Sequence, residues 1–100
     1  MEVDGLVTAL EQIEHAAREF MYPSDRADAP TVLLGVLAEC GRALGHPYSI
    51  DPGLDDARNE ASRHCAAVQE NLTAVMEEVR QLHLAVSGLL PTLVRIADRE

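Results

Sequence analysis

Apolar residues in the second half of the chain recur at alternating steps of four and three. They are Ala61, Cys65, Val68, Leu72, Val75, Val79, Leu82, Val86, Leu89, Leu93 and Ile96. A spacing averaging about 3.5 residues keeps one narrow stripe of a helix facing a partner helix, here over about five heptads. The first half repeats the habit. Val3, Leu6, Leu10, Ile13, Ala17 and Phe20 form a stripe, and Glu11, Glu14, Arg18 and Glu19 fall off it. Between them, 31–38 carries no charged side chain, and Val32, Leu33, Leu34, Val36 and Leu37 cover most of a helix circumference. A helix apolar nearly all round belongs at the centre of a bundle.

Proline and glycine mark the stops. Pro23 ends the first segment, because the residue before a proline is pushed out of the helical region. Asp28 is a good N-cap for the second, with Pro30 in its first turn, and Gly45 followed by Pro47 ends it. Asp51 and Pro52 open the third in the same way. Gly88 and Pro91 must then kink or break it, since Pro91 lacks an N–H and clashes with the Ser87 carbonyl. Gly35 and Gly41, inside the second segment, are expected to allow close helix approach or a bend. The pattern predicts an all-α single domain over 1–100, an antiparallel helical bundle of three main helices. Their bounds are 3–21, 29–44 and 52–87, the long C-terminal helix being kinked and continuing as 91–98.

These lengths do not match. At 1.5 Å per residue the first two helices are roughly 28 and 24 Å long and the third roughly 50 Å. Part of its stripe is therefore expected to be left for another molecule. The stripe Val68, Leu72, Val75, Val79, Leu82 and Val86 is the predicted interface. Among the positions flanking it only Glu78 is charged, so the ion pairs that fix partner and direction in zippers are missing. That favours a multi-helix bundle, completed by one chain or two. It also favours an antiparallel homodimer centred near Val79, in which helix dipoles oppose.

Composition narrows the class. At 47% hydrophobic but only 3% aromatic, with no Trp, the core must be aliphatic. A net charge of −9, with the eight basic residues dispersed among 17 acids, excludes a phosphate-binding surface, so nucleic acid is not an expected partner. All basic residues are arginine, and alanine is abundant, which points to a GC-rich genome of bacterial or phage type. The longest uncharged stretch, 81–94, falls short of the roughly 20 residues needed to span a bilayer, so no membrane association is expected. The acidic start does not read as a secretory signal, and two cysteines without one read as reduced thiols in a cytoplasmic protein.

Candidate chemistry is sparse. Cys40, His46, His64 and Cys65 are the tightest set of metal-ligand types, but adjacent His64 and Cys65 point about 100° apart on a helix and no paired spacing follows. Glu11, Glu14 and His15, or Glu60 and His64, lack the Glu-x-x-His spacing of carboxylate-bridged metal bundles. Neither a nucleophile elbow nor a glycine-rich phosphate loop is present. No catalytic residue, metal or cofactor is therefore assigned. The segment 45–53 has the only distinctive loop composition, and His46, Tyr48 and Ser49 form its candidate ligand cluster. The expectation is a non-enzymatic protein-protein interaction module, self-associating or bound to a partner helix, of adaptor, antitoxin-like inhibitor or phage accessory type. The alternative is a small-molecule sensor or small enzyme with its site between the helices near 45–53.

Overall fold

The structure is a computed structural model that describes residues 2–22, 28–48, 51–70 and 75–99, with the side chains of Glu2, Val75 and Met76 left aside. The described residues form four helices: α1 (Glu2–Met21), α2 (Ala29–Gly45), α3 (Pro52–Glu70) and α4 (Val75–Arg99). The all-α bundle expected from periodicity is present. Its partition differs: the segment read as one long third helix is two helices, and the break falls between Glu70 and Val75 rather than at Gly88–Pro91.

Local sequence explains both outcomes. Residues 71–74 include Asn71 and Thr73, whose side chains compete for backbone hydrogen bonds and favour helix ends over helix interiors. Glu77 and Glu78 then stand in the first turn of α4, where carboxylates complement the positive end of the helix dipole. Pro91 lies inside α4, and its ring is exposed. On that outward face the carbonyl that loses its N–H partner is within reach of water, so the helix continues.

The other ends follow the sequence. The Asp51 Oδ1 accepts from the Gly53 N–H at 2.8 Å, capping α3 behind Pro52. Asp28 sits at the N-cap of α2, and its carbonyl accepts from the Val32 N–H at 2.9 Å, but its side chain makes no capping bond. The His46 N–H closes α2 onto the Arg42 carbonyl at 3.0 Å.

Each helix packs on two neighbours, α1 on α2 and α4, and α3 on α2 and α4, so the chain closes a four-cornered bundle in sequence order. Antiparallel neighbours are evident from paired residues: Leu44 with Arg58 at one end of α2–α3, Gly41 with Cys65 further along. The core is aliphatic, as composition required. Leu6, Leu10, Ile13, Leu33, Leu37, Leu44, Val68, Val79, Leu82, Val86 and Leu93 are all fully buried. Splitting the long segment resolves the length mismatch, because α3 and α4 now cover each other as well as α1 and α2.

Of the two helix-interior glycines in α2, one has a packing role. A Cβ on Gly41 would lie 3.2 Å from the Cys65 Sγ, so this glycine lets α2 approach α3 closely. Gly35 faces open space.

Candidate functional site

The stripe predicted as an interface is spent inside one chain. Val68, Val79, Leu82 and Val86 are each 0% exposed within the bundle, so a second molecule would reach them only by opening it. Leu72, and the side chain of Val75, lie outside the described residues. The physical reason is that the stripe lies on two antiparallel helices, which fold onto each other and onto α1 and α2.

The candidate ligand loop is only partly assembled as a cluster. The rings of His46 and Tyr48 meet edge to face at 5.0 Å. His46 is exposed, whereas Tyr48 is half-buried and packs against the core. Ser49 lies outside the described residues. Just beyond the loop stands Arg58, the one buried charged residue among those described. Its guanidinium donates to the Leu44 carbonyl at the end of α2, to the Asp55 Oδ1 at 2.9 Å and to the Asn59 Oδ1 at 2.9 Å. Arg58 thus satisfies one of the orphan carbonyls of α2 while staying paired itself. The Arg58 hydrogen bond, helped by the Tyr48 backbone, holds the Asp55 carboxyl below the usual carboxylate range. These contacts fasten the α2–α3 connection.

Two histidines fasten α4 to its neighbours. The His64 Nδ1 lies 3.0 Å from the Glu78 Oε2, linking α3 to α4, while its Nε2 lies 3.3 Å from the Glu60 Oε1. The His83 Nε2 lies 3.1 Å from the Glu14 Oε1, linking α4 to α1, and Glu14 also pairs with Arg18. Burial alone would push the Glu14 pKa up; the bonds from Arg18 and His83 outweigh it and bring it below the ordinary value. Neither link was legible locally, since the partners stand 14 and 69 positions apart.

Both cysteines are buried free thiols. Burial pushes the Cys65 thiol up to about 11, and Cys40 is raised for the same reason. Cys40 donates through Sγ to the Gln12 Oε1 at 3.1 Å. These are the settings of structural, unreactive thiols. Among the described residues, no three His, Cys, Asp or Glu side chains group so as to hold a metal ion.

Two surface features remain. An open cleft of about 330 Å³ lies between α1 and α2, with Ala16, Val32 and Val36 on its floor and Glu11, Gln12 and His15 around it. The second is the outward face of α4. Leu84 is 58% exposed and Val94 39%, on a helix whose residues 81–94 carry no Asp, Glu, Lys or Arg. Gly88 and Pro91, also exposed, lie between them. Sequence reading passed over this face because the inner stripe of the same helix dominates its pattern. No described helix is long and apolar enough to cross a membrane. Compared with known proteins, the chain matches no protein-family model, no curated protein and no solved structure.

Proposed function

We propose that this chain is a non-enzymatic protein-interaction module that docks through the outer face of α4, self-associating or binding a partner helix. Its role would be that of an adaptor, an antitoxin-like inhibitor or a phage accessory protein. The observation that carries this reading is the pair of exposed aliphatic side chains, Leu84 and Val94, on the uncharged span of α4. A chain of net charge −9 has ample charge with which to solvate its surface, and on this face it places none between Arg80 and Arg95. The buried free thiols support a reducing compartment such as the cytoplasm.

The test is sedimentation of the wild type over a concentration series beside Leu84→Glu, with both preparations examined for co-purifying protein. Association that depends on Leu84 supports the reading. If Leu84→Glu alters neither the mass nor the set of bound proteins, the reading fails.

A second reading, a small-molecule sensor, draws on the α1–α2 cleft rather than the 45–53 loop, because the cleft has the volume and apolar floor that ligand pockets use. An apolar dye such as ANS should then bind the native protein, and Val36→Trp should abolish its binding by filling the space. Dye binding unchanged in Val36→Trp would remove this reading.

A further inference from the structure

The outer face of α4 has an internal order that identifies its occupant. Taken along one line of the helix, its residues are Arg80, Leu84, Ser87, Pro91, Val94 and Asp98, again at alternating steps of four and three. At about 100° per residue this line runs along the side of α4 opposite Val79, Leu82, Val86 and Leu93, which fill the core. All six are exposed or half-exposed. The line is also a palindrome in chemistry about the level of Leu89. Outermost stand a cation and an anion, Arg80 and Asp98. Inside them stand two aliphatic side chains, Leu84 and Val94, and innermost two small residues, Ser87 and Pro91. Members of each pair are equidistant from Leu89.

We infer that the occupant of this face is a second copy of the chain, its α4 antiparallel to the first across a two-fold axis at the level of Leu89. The inference rests on the docking role proposed above for the same face. In this arrangement Leu84 of one copy covers Val94 of the other, and Ser87 meets Pro91. Arg80 pairs with Asp98, and every contact occurs twice. The alternation of four and three is the spacing at which two helices keep such a seam together, and antiparallel pairs match one class of seam position with the other, as here. Parallel pairing would instead set Arg80 against Arg80 and Asp98 against Asp98, which like-charge repulsion opposes. The small central residues let the helices approach closely. Arg80 keeps its own-chain bond to Glu77, at 2.9 Å, and has further N–H donors for the second carboxylate.

The seam is roughly 27 Å long at 1.5 Å per residue, and one helix pair of that length falls at the low end of specific interfaces. Association is therefore expected at about micromolar concentration and above.

The experiment uses residues outside the core, so folding is retained and is checked by circular dichroism. Leu84→Cys and Val94→Cys proteins are prepared separately, mixed at equal concentration and oxidised with a disulfide reagent. Mixed dimers should exceed the statistical share over both like-with-like products, while the buried native thiols react slowly. In parallel, Arg80→Asp should weaken association about tenfold, by losing an attraction and adding a repulsion at both ends of the seam. Arg80→Asp with Asp98→Arg should restore wild-type association to within about twofold. Dominant Leu84→Cys self-linkage, or no rescue by the double charge exchange, overturns the antiparallel arrangement. A wild type that stays monomeric at every concentration also overturns it. In each of these cases the docking role itself is judged separately, by whether Leu84→Glu changes what the protein binds.

Discussion

The two faces of α4 carry the same spacing and have opposite fates. Val79, Leu82, Val86, Leu89 and Leu93 are buried against the other three helices, while Leu84 and Val94 face outward with Arg80 and Asp98 at their flanks. Heptad spacing says that a helix has a seam. It does not say whether the opposite wall of that seam belongs to the same chain. The inner line is aliphatic at every position and the outer line at only two of six, and this difference in apolar content separates core from surface contact.

Aspartate placed on each face should separate them most sharply. Val79→Asp buries a carboxylate without a partner and is expected to cost at least about 3 kcal/mol, seen as a collapse of Tm and helix content. Leu84→Asp should leave folding stability within about 0.5 kcal/mol of wild type. If both variants melt alike, the two faces do not differ as described.

A polar group on the inside sharpens the same contrast. Arg58→Met keeps most of the packed stem but removes every donor, leaving the Leu44 carbonyl without its partner. A loss of about 1.5–3 kcal/mol is expected in denaturant titration. No loss would mean that water serves the end of α2 equally well.

His83 stands at the border of the two faces. His83→Ala should cost about 0.5–1.5 kcal/mol near neutral pH by freeing α4 from Glu14. Because the Glu14 pKa is lowered in the folded protein, its contribution is complete above the ordinary carboxyl range and is lost as pH falls through the lowered value. Glu14→Gln should therefore flatten the acid side of the stability profile. An unchanged acid limb would show that the His83–Glu14 link does not hold in solution.

The smallest effect is a gain. A Cβ at Gly88 would meet nothing within 4 Å, so Gly88→Ala should stabilise the isolated chain by about 0.5–1 kcal/mol through helix propensity. Thermal melting at low protein concentration checks the sign.

Much of this architecture could be read from sequence wherever a proline or glycine marked it. Pro23, the Gly45–Pro47 pair and the Asp51–Pro52 cap bound helices where expected. The break at 71–74 escaped because no Pro or Gly occurs between Gly53 and Gly88, and because the spacing from Val68 through Leu72 to Val75 runs across it unbroken. Pro91 misled for the converse reason: its cost depends on whether the freed carbonyl faces water, which periodicity does not encode. The polar links were hidden differently. His64–Glu78 and His83–Glu14 need the α3–α4 reversal and the closing of α4 onto α1, so no local pattern announces them. The outer line of α4 was present in the residue order throughout. It becomes visible only once burial has removed the inner line from consideration.

The close seating of Gly41 against Cys65 makes the protein its own stopwatch. Cys40 and Cys65 are shielded on different helices, and a thiol reagent in solution can label them only during the brief intervals when those helices part. Under reagent-limited conditions the labelling rate follows the population of opened molecules; with excess reagent it follows the opening step itself. Two native side chains thus provide a chemical clock for the breathing of α2 against α3, read in plain buffer without denaturant.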